Sequence, residues 1–596
     1  MVRELSKEWK VQKPLPKKII KEHQQIPEVI LQLLYNREIF SIRDLKKEKE
    51  KKIEEFLDPS YENLFDPFLM KDLKKAVLRI KKALKNKEKI AIFGDYDADG
   101  VTATALLYEV FNFLGQEVVT YIPHRDKEGY GLNSEAIKKI AKKKIKLLIT
   151  IDCGIRNIKE VEEAKKLGMD VIITDHHEVP RKIKNPRQRR VHLWRKKSKI
   201  KNRPKDLVPR SLAVINPKQE NCKYPFKQLA GVGVAFKLSQ GLLKDIHKSE
   251  TFLKWLLDLV VIGTIGDCVP LISENRILVK FGMLVFKKTR RIGILELKKT
   301  IRNGKENDIA FYLAPRLNAA GRMDHANWAF MLLITRSRIE AFKLINKIEQ
   351  LNKKRREETD RVLREAKGEF GFLSPSQKII ILAKENWPSA ISGIVAGRLA
   401  EEYQRPALVI ENKGELSKGS ARSYQGFNIV KALEKLSHLF KKVGGHKEAA
   451  GFIYETENHE EIVRELTEIA SRKIKEIRKI IPVDLEINTE DLNHEFYKNL
   501  KMLEPFGASN PDPVFLIRRA KILEKRHVGL NDHLKIRFLK NCKRMNAIAF
   551  NRGDLENEFE IEGYVDFIFK LGENFYLGVS TVQLEILDLK ASKRRK

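Results

Sequence analysis

The spacing of apolar and polar residues changes several times along this chain, and each change marks an element. From Leu73, LKKAVLRIKKALK puts apolar side chains three and four residues apart, the spacing of one helix face. KIAIFGDYDADG (89–100) reads as a short buried strand that breaks into an acidic loop, and VTATALLYEVFNFLG follows as an apolar helix. Three further strand-like runs, EVVTYIP, IKLLITIDCG and MDVIITDHHE, are separated by the helical stretches NSEAIKKIAKKK and IKEVEEAKKLG. This strand–helix alternation predicts a parallel sheet with crossover helices. A long charged run over 325–370 has few breakers and predicts a helical connector. KIIILA, from Lys378, opens a second α/β unit. From about Pro482 the pattern turns to strands separated by turns (VDLEI, PVFLIRRAKIL, HLKIRFL, NAIAF), which suggests a small all-β module. Residues 1–60 are Lys/Glu-rich and read as helical.

With 596 residues the chain has room for about three to five domains. Lys and Arg number 116 against 80 Asp and Glu, a formal charge of +36. A surplus of that size points to a polyanionic partner and excludes an acidic calcium buffer. It is uneven: Arg181–Arg210 holds fourteen Lys/Arg and one acid, Asp206, with no apolar period and several prolines. That segment reads as an exposed arm, either gripping phosphates or merely solvated. The terminal SKRRK carries the same two readings. Four cysteines (Cys153, Cys222, Cys268, Cys542) lie far apart without a CxxC, which argues against a disulfide scaffold and suits a reducing, cytoplasmic setting. Neither an N-terminal apolar core of a signal peptide nor an apolar run of about 18 residues is present, so no membrane span is expected.

The strongest chemical signal is acidic. Asp95, Asp97 and Asp99 follow KIAIF; Asp152 follows LLITI; Asp175, His176 and His177 follow VIIT; Asp267 follows the apolar run LVVIGTIG, read here as a further strand. Ligands of an open parallel sheet bind beyond the carboxyl ends of its strands, so these positions are expected to converge. Any one such Asp is commonly a helix cap or a turn residue. Together they form a carboxylate cluster whose mutual repulsion divalent cations would remove. Carboxylate oxygens favour Mg²⁺ or Mn²⁺, and an imidazole shifts preference towards Mn²⁺. A pair of such ions supports hydrolysis at phosphorus. In a strongly basic chain this suggests a phosphoesterase acting on nucleic acid.

DYDADG (95–100), the Asp152 strand end, TDHH (174–177) and IGDCVPL (265–271) resemble the four motifs of the DHH phosphoesterase superfamily. YIPHRDKEGYGLN (121–133), AGVGVAFKL (230–238), PRLNAAGRM (315–323), GSARS (419–423), GGHKEAAGF (444–452) and PFGASNPDPVF (505–515) are similar to the RecJ family of single-strand-specific exonucleases, and the likeness runs from about residue 56 to the C-terminal region. It implies an α/β protein in which a parallel-sheet DHH domain is joined by a long helix to a smaller α/β DHHA1 domain, followed by a β-barrel OB-fold. The implied bounds are an N-terminal helical extension (1–60), DHH (61–324, with the basic insertion 181–210), the connecting helix (325–370), DHHA1 (371–481) and OB (482–596).

The resemblance further implies two divalent cations, Mn²⁺ or Mg²⁺, on Asp97, Asp99, Asp152, His176 and Asp267. Asp95 belongs to the same catalytic loop, and His177 is placed against the scissile phosphate. Arg125, Arg316, Asn318 and Arg322 would line the DNA path, and Ser420, Arg422, Gly444, Gly445 and His446 would hold the strand near its terminus. The implied activity is 5′-to-3′ degradation of single-stranded DNA to 5′-mononucleotides in repair and recombination. A RecQ-type helicase and a single-strand-binding protein are the implied functional partners, and a monomer is expected. The rivals are a DHH enzyme acting on short oligonucleotides or cyclic dinucleotides, and a noncatalytic DNA-binding scaffold. Two stretches depart from the family pattern: Pro388, Ser389, Ala390 and Ser392 in WPSAISG, and Ser509 where a glycine is usual. Deleting the basic insertion separates its two readings. An arm that grips phosphates makes log affinity for single strands less steep in log salt once removed, whereas a solvated insertion leaves the slope as it was.

Overall fold

In the computed structural model, the described residues are 7–180, 207–301, 306–370, 373–374, 376–424, 426–529, 532–576 and 579–592. Most of the basic insertion (181–206) and the tail from 593 lie outside them. They fall into two compact units: Phe65–Val269 with Phe281–Arg478, and Ser6–Leu64 with Pro270–Lys280 and Lys479–Lys596.

In the first unit, IAIF (Ile90–Phe93) and LLITI (Leu147–Ile151) are buried at every position, the mark of strands covered on both faces. With Val118–Tyr121, Asp170–Thr174 and Ala213–Ile215 they make a five-stranded, all-parallel sheet. Ile90–Phe93 lies between Val118–Tyr121 and Leu147–Ile151, so the chain order across the sheet is 2-1-3-4-5. The winding direction therefore reverses between the carboxyl ends of Ile90–Phe93 and Leu147–Ile151, which is where doubly wound sheets bind ligands. The fifth strand, Ala213–Ile215, escapes the sequence reading because three residues carry too little pattern.

A second correction concerns the segment before Asp267. The run taken as a strand is a helix, Leu257–Gly266, and Asp267 caps its C-terminus. Leu257–Ile265 are buried all round, so the run has no helical period to betray it. The connector also differs from 325–370. Asn327–Ile334 is a separate helix, and a 33-residue helix, Arg338–Phe370, about 50 Å long, follows it. The break at Thr335–Ser337 has a local cause. Ser337 Oγ accepts the Glu340 N–H and Thr335 Oγ1 accepts the Ser337 N–H, so these side chains cap the new helix.

The far half of the long helix is built into the DHHA1 core, where Val362 and Ala366 pack with Ile380, Trp387, Ile391 and Val395. That domain has a mixed sheet ordered Lys442–Gly445, Ala449–Glu455, Leu416–Arg422, Ala407–Lys413, Ile380–Lys384, parallel only at its last pair.

In the second unit, Phe515–Val528, His533–Lys540, Lys543–Ala549, Val579–Ala591 and Tyr564–Tyr576 pair in turn, and the first closes on the last as a five-stranded barrel. The N-terminal extension is not helix alone. Its strand Lys7–Val11 runs parallel to Lys479–Val483. Its helices lend Ile30, Leu34, Ile53 and Phe56 to the same core as the barrel residues Phe515, Phe538 and Phe567. Ser509 takes φ +60°, the left-handed region a glycine occupies without strain, so the turn keeps a glycine's conformation with a serine in place. Buried Arg276 donates to the Phe56, Leu503 and Met502 carbonyls at 2.7, 2.8 and 3.1 Å and lies 4.0 Å over the Phe56 ring. Arg276→Ala strands three buried acceptors and is expected to destabilise this unit by about 3 kcal/mol, read as a lower melting midpoint of its transition in calorimetry.

Candidate active site

The acidic loop leaves the sheet at Gly94 and turns straight into a helix, Ala98–Phe113. Asp97 is its N-cap and accepts the Gly100 N–H at 3.0 Å. Asn318 Oδ1 accepts the next free donor, Ala98 N–H, at 2.8 Å. Asp99, in the first turn, points the other way. It accepts Gly231 and Val232 N–H at 2.6 and 2.8 Å, so the N-terminus of helix Gly231–Leu243 holds a carboxylate where such ends often hold phosphate.

Asp152 leaves its strand at φ +59°, a strained conformation at the mouth of the site. A Cβ on Gly231 would fall 2.7 Å from the Asp152 carboxylate, so only glycine lets that helix approach. His176 is buried and aims Nε2 at three acids: 3.1 Å from Asp152 Oδ1, 3.6 Å from Asp267 Oδ2 and 3.9 Å from Asp99 Oδ2. Asp95 Oδ1 and Asp152 Oδ1 are buried and accept no hydrogen bond. Ligand atoms of Asp99, His176 and Asp267 lie within 4.8 Å of one another, as do those of Asp95, Asp97 and Asp152, and those of Asp152, His176 and His177. The structure thus brings all seven acidic and imidazole residues of the expected site into one place.

Burial and mutual repulsion determine the protonation of the metal-free site. Asp95, Asp152 and Asp267 are pushed well above the usual carboxylate range, first by desolvation and then by neighbouring Asp side chains. Asp99 rises only to about 7, since burial and Asp97 are offset by its two backbone donors. Burial and the adjacent His177 push His176 down to about 3, so its Nε2 is a free lone pair. These groups fit divalent cations of the Mg²⁺/Mn²⁺ class: orphaned buried carboxylate oxygens, one neutral imidazole, and no thiolate among the grouped donors.

His177 has a different role. Its side chain is 42% exposed against 10% for His176. Asp175, buried, accepts the His177 N–H at 3.0 Å and sits 2.8 Å from Nδ1, and it also accepts the Ile155 N–H at 2.9 Å. Burial alone would lower the His177 pKa; Asp175 outweighs it and raises it to about 9. Tyr130 O–H donates to the Asp152 carbonyl at 2.9 Å and stands 3.0 Å from His177 Nδ1. Sequence reading had not assigned either supporting role: Asp175 lies inside the TDHH motif, and Tyr130 inside EGYGLN, where nothing in the spacing distinguishes a ring clamp from a packing residue.

The expected DNA-lining residues separate into two groups. Arg125, Arg322 and Arg422 come together. Arg322 Nη1 donates to the Ala390 carbonyl at 2.7 Å, and its pKa falls to about 9 through burial and the neighbouring charges of Arg125 and Arg422. Arg422 is lowered likewise, by burial and Arg125. Arg125 stacks 4.9 Å over the Tyr96 ring. Ser420 sits on the same strand as Arg422. Gly444, Gly445 and His446 form the neighbouring turn; Gly445, at φ +150°, leaves no room for a Cβ against the Ala449 carbonyl, and His446 feels the charge of His177. By contrast, Arg316 is engaged with Glu349 at 2.5 Å, and Asn318 serves the acidic loop. Two cations missed in the sequence stand nearby. Arg156 Nη1 is 3.7 Å from where a Gly444 Cβ would lie, and Lys218 acts on His176, Asp267 and His446.

In chelator, Asp152→Asn is expected to melt above the unsubstituted protein. Because Asp152 is raised on folding, its contribution is present below about pH 4 and lost as pH climbs through the higher folded value, so the gap widens with pH. Mn²⁺ should reverse the order. Scanning fluorimetry from pH 5 to 8, with and without Mn²⁺, reads both effects.

Comparison with known proteins agrees with this geometry. Residues 89–200 match the DHH family N-terminal domain, 376–472 the DHHA1 domain and 483–588 the RecJ OB domain. The chain is 36% identical to the single-stranded-DNA-specific exonuclease RecJ of Bacillus subtilis over 98% of its own length and 71% of that protein's, and 30% identical to Escherichia coli RecJ over 91% and 93%. Thermus thermophilus RecJ in complex with Mn²⁺ superposes with a TM-score of 0.80 at 28% identity, covering 98% of this chain and 80% of that one; its Mg²⁺ complex gives 0.74 at 26%, covering 98% and 79%. A DHH sheet bearing the acid cluster, a DHHA1 domain and an OB barrel in one chain, with likeness over nearly its whole length, make this protein a member of the RecJ family of single-stranded-DNA-specific exonucleases.

Proposed function

We propose that this chain hydrolyses single-stranded DNA from its 5′ end, releasing 5′-mononucleotides with two divalent cations bound, Mn²⁺ or Mg²⁺. The observation that carries the reading is the cluster of buried, unsatisfied carboxylates around His176 at the sheet's switch point. Asp97, Asp99, Asp152, His176 and Asp267 would hold the cations, with Asp95 completing the acidic loop. Once bound, the ions neutralise these acids, polarise the scissile phosphate and lower the pKa of a water.

The chain's own groups do the rest. His177, kept protonated and oriented by Asp175, presents a charged N–H towards the open side of the site, where it can stabilise a phosphoryl oxygen. Arg125, Arg322 and Arg422, each half-buried and crowded by like charge, supply an anion site for a terminal phosphate. Ser420 and the 444–446 turn border it. A phosphate held there with the next phosphodiester at the acids accounts for cleavage one nucleotide at a time. The intact ligand set weighs against a noncatalytic scaffold. Repair and recombination in the cytoplasm, action beside a RecQ-type helicase and a single-strand-binding protein, and a monomeric state complete the proposal. Among the described residues no helix is long and apolar enough to cross a membrane.

Asp152→Ala and Asp267→Ala are each expected to abolish Mn²⁺-dependent release of mononucleotides from a 5′-labelled strand. Arg422→Met should cut kcat/KM at least tenfold on a 5′-phosphorylated strand and less on a 5′-hydroxyl one. Product analysis on 5′- and 3′-labelled strands checks both results; release from the 3′ end would overturn the polarity.

A further inference from the structure

Beyond the terminal site, the long helix turns a polar stripe towards a groove. Glu349, Asn352, Arg355 and Asp360 recur at spacings of three and five residues. On one side stands the DHH helix Ala314–Met323. Its Arg316 pairs with Glu349 at 2.5 Å and donates from Nη1 to the Tyr312 carbonyl at 2.9 Å. On the other side stands the DHHA1 helix Ser389–Tyr403, whose Arg398 pairs with Asp360 at 2.7 Å. Between them Arg355 donates from Nη2 to Asn352 at 3.0 Å, while its Nε is buried with no acceptor.

Arg355 is crowded by Arg398, Arg356 and Arg316, and it in turn acts on Arg322. Cations therefore continue from the terminal site along the groove. Beside Arg316, a single π-helical turn, Ile309–Leu313, leads into Ala314–Met323 and leaves Phe311 71% and Tyr312 49% exposed. Such turns are rare outside functional sites, and two large exposed rings next to an arginine cluster suit stacked bases. Arg316 and Arg322 are six residues apart on one helix, about 9 Å, so the ring pair lies beyond the nucleotide being cleaved.

We propose that this groove is a distal subsite for the single strand, in which Arg355 grips a backbone phosphate and Phe311 and Tyr312 stack on bases several positions from the cleaved end. The subsite rests on the exonuclease reading above and adds to it a preference for long strands over short oligonucleotides. Its occupant is DNA, because the groove offers unpaired cationic capacity beside ring faces; an apolar protein segment would use the rings and not Arg355.

The test uses the full chain in chelator, with fluorescein-labelled oligo-dT of four and of twenty nucleotides followed by anisotropy. Phe311→Ala and Tyr312→Ala should each weaken the twenty-mer by about fivefold or more and collapse its advantage over the four-mer. Arg355→Ala should also lower the salt slope for the twenty-mer by about one. Phe311 is exposed, so its replacement keeps the fold and remains decisive if Arg355→Ala does not fold. Equal weakening at both lengths, or undiminished twenty-mer binding, overturns the subsite. Failure of the exonuclease reading shows separately, as absence of 5′ release by the unsubstituted protein with Mn²⁺.

Discussion

Around His176, Asp99, Asp152 and Asp267 each bring a carboxylate to within 4 Å of one imidazole nitrogen, and Asp95 and Asp152 each bury an oxygen that accepts nothing. Uncompensated anions of this kind cost several kcal/mol each when desolvated. Much of the surrounding chain serves to hold them there. One helix donates its first N–H groups to Asp99; Gly231 removes a side chain where that helix meets Asp152; Asn318 caps the helix that carries the acidic loop; Asp152 itself sits at a strained φ. A fold selected for stability alone would not accumulate these features in one place, and a site built for cations needs all of them.

Charge in this molecule is sorted rather than averaged. The acids lie at the floor of the site and are bonded to the DHH sheet and its helices. The facing cations, Arg125, Arg322 and Arg422, come from two domains and are paired mainly with backbone, rings and one another. A phosphodiester between the two sets meets positive charge on both sides once the acids carry metal. The excess of +36 has its chemical use in that arrangement and in the groove beyond it.

Legibility in the sequence followed burial. Strands covered on both faces read as apolar runs, so the order of the DHH sheet and the acids at its edge could be placed. The same burial concealed Leu257–Gly266, because a helix apolar on every side looks like a strand of the same length. Lys7–Val11 stayed hidden for the opposite reason: KEWKV is mostly polar, and its partner lies more than 460 residues away in sequence. The break at Thr335–Ser337 depends on side-chain caps that a run of helix-forming residues outweighs. Motif likeness located positions better than roles. Arg316 and Asn318 belong to one motif with Arg322, yet one is held by the long helix and another by the acidic loop, and only coordinates separate them.

That separation says how the two halves of the cleft keep their spacing. The long helix begins against the DHH domain, with Ala341, Leu344, Ile345 and Ile348 buried, and ends inside the DHHA1 core through Val362 and Ala366. Its middle turns are the only part free to face a substrate, and they are polar where the ends are apolar. An uninterrupted helix is stiff over this length, so the distance between Arg316 on one side and Arg398 on the other follows from the geometry of a single element rather than from a loop. A duplex is excluded or admitted by that spacing, and strand selectivity is therefore a property of the connector as much as of the metal site.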